Sequence, residues 1–246
     1  MMTDFLQAVR FLTVLPLPWK IKEGNLARSM FFFPLVGFLI GLASLLLAQV
    51  LSLHVFVRLH ALALVTFPVF LSGALHLDGF ADFCDGFFGA RRKEDVLRIM
   101  RDSRIGVWGA LGVCLLLFWK WELLASLPGR SGALLLALTA SRWTPVALAY
   151  FLPYAGNGPG LGESVAKKVT ARELAGASVF LVLAVFLFKG TGLICLLALP
   201  PLVAGLAFLF KKRVGGITGD LLGAASEATE CYILFILFLV RSGGFQ

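Results

Sequence analysis

The sequence predicts an all-α, polytopic integral membrane bundle of about seven transmembrane helices with a cytoplasmic N-terminus. Three observations lead there. Of 246 residues, 59% are hydrophobic and only 15% are charged, against roughly 25% charged in soluble domains. Apolar runs recur along the whole chain, so residues 1–246 read as one membrane-embedded domain. The basic residues also segregate by connection, which is a topological signal.

Residues 1–18 are mostly apolar but carry Asp4 and Arg10 and lack a small-residue cleavage site. They read as an interfacial or partly inserted helix ending at Pro16-Leu17-Pro18, not as a signal peptide. Membrane helices are then expected near 31–53, 61–85, 105–126, 132–153, 174–188, 191–210 and 221–240. The fifth is short, and only Lys189-Gly190 separates it from the sixth. Of the 22 lysines and arginines, sixteen fall in alternate connections: Arg10 to Arg28, Arg91 to Arg104, Lys167 to Arg172, and Lys211 to Arg213. The other connections hold Arg58, Arg130, Lys189 and Arg241, while Lys120 and Arg142 lie inside helices. By the positive-inside rule the sixteen-residue side is cytoplasmic. The net charge of +8 is therefore topogenic, and nucleic acid is not an expected partner. Cys84, Cys114, Cys195 and Cys231 are scattered within helices without a CxxC pair, as small buried apolar residues would be.

Chemistry concentrates at the end of the second helix, in His76-Leu-Asp-Gly-Phe-Ala-Asp-Phe-Cys-Asp-Gly86. Asp78, Asp82 and Asp85 recur at i, i+4 and i+7, within about 60° of one another on a helix. Like charges on one face beside hydrocarbon repel and are costly to desolvate. Mg²⁺ is the simplest remedy, because it favours carboxylate oxygen and leaves positions for water and phosphate. His76 points away from the aspartates on an ideal helix. The loop Arg91–Gly106 is rich in positive charge, and its residues 93–102 can form an amphipathic surface helix. A second acidic set, Asp220, Glu227 and Glu230, opens the last helix behind a glycine run, with Glu230 within about 80° of Asp220. There the plainer alternative is a carboxylate paired with Arg142 for structural reasons. The Gly/Pro-rich loop Pro153–Gly162 carries no chemistry by spacing alone, and His54 and His60 read as interfacial polar residues.

The aspartate block, followed by Ile99-Met-Arg-Asp-Ser-Arg-Ile-Gly106, resembles the cobalamin synthase family, the adenosylcobinamide-GDP ribazoletransferases. Phe11-Leu-Thr-Val-Leu-Pro-Leu-Pro18, Phe33-Pro-Leu-Val-Gly-Phe-Leu-Ile-Gly41 and Gly215-Gly-Ile-Thr-Gly-Asp-Leu-Leu-Gly-Ala224 are similar to further family segments, in order across nearly the full chain. Phe83 and Cys84 depart from the small or polar residues common there, without touching a carboxylate.

The resemblance implies a Mg²⁺-dependent transferase of the cytoplasmic (inner) membrane, its active site facing the cytoplasm. It would join α-ribazole, or its 5′-phosphate, to adenosylcobinamide-GDP with release of GMP, the last assembly step of the cobalamin nucleotide loop. Asp78, Asp82 and Asp85 are then expected to hold Mg²⁺, with Asp220 a further ligand or substrate contact. Asp82, Asp102 and Glu227 are the catalytic candidates, the latter two as general base. Arg104, and with it Arg91, Arg101, Ser103 and His76, would contact substrate. A corrinoid is large, so a wide cytoplasm-facing cavity is expected. Partners are these two substrates and the bilayer, with a second copy or other cobalamin-assembly enzymes as candidate protein partners.

Two other readings compete. A CDP-alcohol phosphotransferase also displaces a nucleoside monophosphate, but its motif needs an arginine where Phe83 stands. An ion-coupled transporter would carry polar groups through the full bilayer depth, whereas these acids crowd toward one side.

Overall fold

The computed structural model describes residues 1–17, 25–52, 56–156, 161–166 and 168–242. Among the sequence features discussed above, Pro18, Lys20, Lys22, His54, the loop centre 157–160 and Lys167 lie outside the described residues. The architecture is helical: α1 (Met2–Leu12), α2 (Leu26–Ser29), α3 (Phe33–Ser52), α4 (Val57–Leu71), α5 (Leu75–Gly89), α6 (Lys93–Ile99), α7 (Val107–Ser126), α8 (Arg130–Phe151), α9 (Leu161–Val165), α10 (Ala171–Phe186), α11 (Lys189–Val214) and α12 (Gly219–Ser242). A short 3₁₀ turn, Met30–Phe32, joins α2 to α3.

Five stretches among the described residues are long and apolar enough to cross a bilayer: Leu26–Leu51, Val107–Ser126, Arg130–Phe151, Lys189–Val214 and Gly219–Arg241. A sixth exists only if α4 and α5 count together. The 16 residues of α10 extend about 24 Å at 1.5 Å per residue, short of a hydrocarbon core of roughly 30 Å. By length and composition the described residues therefore supply five or six spans, against the seven expected.

The expected continuous helix 61–85 needs correction. It is two helices bent by 93°, because Gly73 and Ala74 adopt left-handed backbone conformations at φ 60° and 57°. The Leu71 carbonyl left over at the bend accepts a 2.9 Å bond from the Val14 amide, so the segment after α1 caps α4. The chain between α10 and α11 does break where expected, with Lys189 at φ 51°.

The bundle is built around α8, whose residues from Ala133 to Ala149 are nearly all buried. It meets α3 closely because a side chain at Gly37 or Gly41 would collide with Leu138 or Leu135, the small-residue solution to helix approach in lipid. The outer helices are turned the other way. Leu111, Leu115 and Phe118 on α7, and Val179, Leu183 and Phe186 on α10, form exposed apolar stripes at i, i+4 and i+7, as lipid contact requires. His60 is buried, not interfacial; its Nε2 lies 3.1 Å from the Ala48 carbonyl. Helix α6 stops at Ile99, and its apolar residues Val96 and Leu97 are buried within the protein. Val96 and Met100 pack on α5, where a Cβ at Gly86 would strike both residues.

Candidate active site

Helix α5 carries the aspartates, and its neighbours are the starts of two other helices. At one end, Gly79 lets the α12 backbone approach so closely that a Cβ there would lie 2.7 Å from the Asp220 carbonyl. At the other end, Gly109 and Gly112 of α7 sit against Asp85 and Cys84. The α5 terminus is tied down by Arg213, whose guanidinium donates to the Phe87 and Ala90 carbonyls. A cation there also complements the negative end of the helix dipole. The start of α12 is fixed in turn by the loop after α8. Ile217 donates to Pro153 and Ala155 donates to Ile217, each at 2.9 Å, giving an isolated bridge between Tyr154 and Ile217.

This arrangement splits the three aspartates. Both Asp85 oxygens are engaged, one by the Gly106 amide at 2.7 Å and the other by the Gly109 amide at 2.8 Å. Buried Asp85 thus caps the first turn of α7 from outside that helix, satisfying two donors that a helix start leaves open. Glycine is required at both amides, since a Cβ on either would fall 2.4 Å from an Asp85 oxygen. The expectation of Asp78, Asp82 and Asp85 as one equivalent ligand set is corrected accordingly. Among the described residues, no group of three or more His, Cys, Asp or Glu is arranged to hold a metal ion.

Asp78 is exposed, while Asp82 and Asp220 are half-buried. Asp82 lies in the field of Asp220, Asp78 and Asp85, and Asp220 in that of Asp78 and Arg101. None of the ion pairs among the described residues involves Asp78, Asp82 or Asp220. They are hard oxygen donors without an ion-paired cation among the described residues, a set that suits Mg²⁺. That ion commonly binds through one or two carboxylates plus waters and substrate phosphates, so it needs no closed three-residue cage.

The basic loop forms a second, adjoining region. An open cavity of about 490 Å³ is lined by Asp85, Arg98, Asp102, Arg104 and Gly106 among others. Arg104 holds Asp102 in a two-pronged pair at 3.0 and 2.7 Å. Those hydrogen bonds hold the Asp102 carboxyl down at about 2, which makes it a poor proton acceptor while the pair persists. Arg101 serves a neighbouring groove with Lys93 and Arg98. Arg91 and Ser103 are exposed on the links flanking α6, and neither lines the cavity beside Asp78 and Asp220.

Glu227 lies elsewhere. It is buried, and its Oε2 accepts from Lys120 Nζ at 2.5 Å, while Glu230 meets the same ammonium at 2.9 Å. The structural alternative named Arg142 as partner; the structure supplies Lys120. Arg142 donates instead to the Ser141 and Ser226 hydroxyls. The reading of Glu227 as general base is corrected on this ground: an ammonium engages its carboxylate inside the bundle. No local pattern announces this pair, because Lys120 and Glu227 are 107 residues apart.

His76 is also buried, its Nδ1 without a hydrogen-bond partner among the described residues. With Asp78 and Asp220 it lines an apolar cavity of about 150 Å³, which sequence reasoning missed. This is not the wide corrinoid cavity expected.

Comparison with known proteins agrees with the arrangement of these segments. Residues 4–238 match the family model described as cobalamin-5-phosphate synthase. Adenosylcobinamide-GDP ribazoletransferase of Prosthecochloris aestuarii is 35% identical, over 97% of this chain and 100% of the relative. Relatives of the same name from Ralstonia nicotianae (37% identical, 94% of this chain and 92% of the relative) and Klebsiella pneumoniae (37%, 98% and 100%) are similarly close. No solved structure matches this chain significantly. Aspartates gathered where α5 meets α12, a basic loop beside them and full-length similarity agree: the chain belongs to the cobalamin-5-phosphate synthase family.

Proposed function

We propose that this protein is an adenosylcobinamide-GDP ribazoletransferase, using Mg²⁺ at the α5–α12 junction. A ribose hydroxyl of α-ribazole, or of its 5′-phosphate, attacks the phosphate joined to the cobinamide arm. One P–O bond forms, the pyrophosphate P–O bond breaks, and GMP leaves with the bonding electron pair. The observation that carries this reading is the close packing of α5 at Gly79 against the Asp220 backbone, which sets Asp82 in the field of Asp220 and Asp78, in a chain matched over nearly its full length by relatives of that name.

Of the three carboxylates, Asp82 and Asp220 would hold Mg²⁺ together with water and substrate oxygens, and the ion would supply charge neutralisation for the phosphoryl oxygens. Asp78, the most exposed of the three and a lining residue of the apolar cavity, is placed to take the hydroxyl proton. Arg101 and Arg104 bind the pyrophosphate. An exposed ion pair is weakly held in water, so an incoming phosphate can exchange for Asp102 on Arg104 and free that carboxylate. Asp85 keeps the α7 start, and with it the 101–106 loop, against α5. Purified protein should release GMP from a GDP-activated corrinoid only when α-ribazole and Mg²⁺ are both present. GMP release without α-ribazole, or unchanged by chelation, refutes the corresponding part of the reading.

If Arg104 grips the pyrophosphate, Arg104→Lys keeps the charge and loses the fork. Turnover should fall roughly 10- to 100-fold with an unchanged melting temperature. Wild-type turnover would leave Arg104 as a topology signal alone. The site faces the cytoplasm in this reading, on the strength of the sixteen-to-four distribution of basic residues. Cysteines introduced at Lys93, Lys168 and Lys212 should therefore react only with reagents that reach the cytoplasmic face.

A further inference from the structure

The apolar cavity beside the carboxylates has a shape and a chemistry that the transfer reaction leaves unused. Phe11 and Phe33 both line it, and their rings stack at 5.8 Å with an interplanar angle of 14°. They give it an aromatic side. Pro145 and Leu222 contribute further apolar lining from α8 and α12. Among the described residues, polar side chains reach it from one junction: Asp78 and His76 from α5, and Asp220 from α12. His76 is 5% exposed, and among the described residues its Nδ1 has no hydrogen-bond partner. A buried polar atom left without a partner costs free energy, and the imidazole can donate or accept once a ligand supplies the complement. About 150 Å³ suits one bicyclic aromatic ring and excludes a macrocycle.

We infer that this cavity is the subsite for the aromatic base of the nucleoside acceptor. The inference rests on the transferase reading above and adds to it which substrate part binds where. The base lies on the side of the cavity lined by Phe11 and Phe33 and offers its ring nitrogen to His76. Its ribose then extends toward Asp78 and Asp220, where a hydroxyl meets the carboxylates. Discrimination among bases follows from this arrangement. Apolar walls tolerate substituents only up to the available volume, and an unpaired histidine selects bases with a nitrogen at its height. Met30, which lines the same cavity from the turn before α3, limits the room for larger rings.

The test is direct calorimetric binding of α-ribazole, without the corrinoid, to full-length protein in lipid nanodiscs. Wild-type protein should bind α-ribazole and show no heat with ribose 5-phosphate, which lacks the base. Leu222→Trp fills the cavity and should weaken α-ribazole binding about 100-fold or more. His76→Gln removes one ring contact and should weaken it about 10-fold. Met30→Ala enlarges the cavity and should shift preference toward ribosides of bulkier bicyclic bases, a gain that a merely destabilised protein would not show. Binding of α-ribazole that is undetectable in wild type, or equal in wild type, Leu222→Trp and His76→Gln, overturns the assignment. So does an unaltered base preference in Met30→Ala. The two readings fail separately. Cavity-dependent binding without GMP release keeps the subsite and removes the activity, whereas GMP release with cavity-independent binding does the reverse.

Discussion

Asp82→Asn is expected to lower Mg²⁺-dependent GMP release by about 10³-fold, the scale of losing a principal charge-stabilising group at a reacting centre. Asp82 sits between Asp78 and Asp85 on α5 and feels Asp220 across the junction, so its charge belongs to the group that would offset the metal. Asparagine keeps the size and much of the hydrogen bonding. It also removes like-charge repulsion, so the metal-free protein should melt at the same temperature or higher. Wild-type protein should gain stability on adding Mg²⁺, because a ligand that binds only the folded state stabilises it. The variant should lose most of that gain. Melting curves with and without Mg²⁺, read beside GMP release, separate a metal site from a structural cluster. An Asp82→Asn protein that stays active yet melts early would sink the metal proposal.

The helical class was legible in the sequence because lipid demands internally satisfied backbone and long apolar runs. Most boundaries fell within a few residues of those expected. The exception was 61–85, where the apolar run continues straight through the bend. Only Ser72-Gly73 marks it, and a lone glycine inside an apolar pattern is ordinarily tolerated. Helical periodicity put Asp78, Asp82 and Asp85 on one face, but periodicity says nothing about what that face meets. It meets the first turn of α12 at Gly79 and the first turn of α7 at Gly106 and Gly109, which separates Asp85 from its neighbours. The glycines were visible as residues and mute as contacts. In the sequence Lys120 is only a charge within a helix, since its partners come from α12, far along the chain. The apolar cavity was hidden for the same reason. Phe11, Phe33, Pro145 and Leu222 look like ordinary membrane residues until α1, α3, α8 and α12 converge around His76.

Lys120→Met is expected to produce the largest loss of stability of any single substitution considered. Lys120 is 2% exposed and its ammonium serves both Glu227 and Glu230. Arg142, equally buried, binds the Ser141 and Ser226 hydroxyls nearby, so two cations balance two carboxylates inside the bundle. Taking Lys120 away leaves one carboxylate in excess in a low-dielectric interior. Breaking a buried pair from one side costs about 3–5 kcal/mol, which in a chain of this size corresponds to a fall of roughly 10 °C in melting temperature. Replacing both members is different, because no charge is then left over. Lys120→Met with Glu227→Gln leaves one buried cation, Arg142, to balance one buried carboxylate, Glu230, and should recover most of the loss. A double variant no more stable than Lys120→Met would show that the pair acts through specific packing instead of charge balance. The same protein tests the chemistry. If the double variant folds and releases GMP at a substantial fraction of the wild-type rate, Glu227 has no part in proton transfer. The burden then stays with Asp78 and its neighbours at the α5–α12 junction.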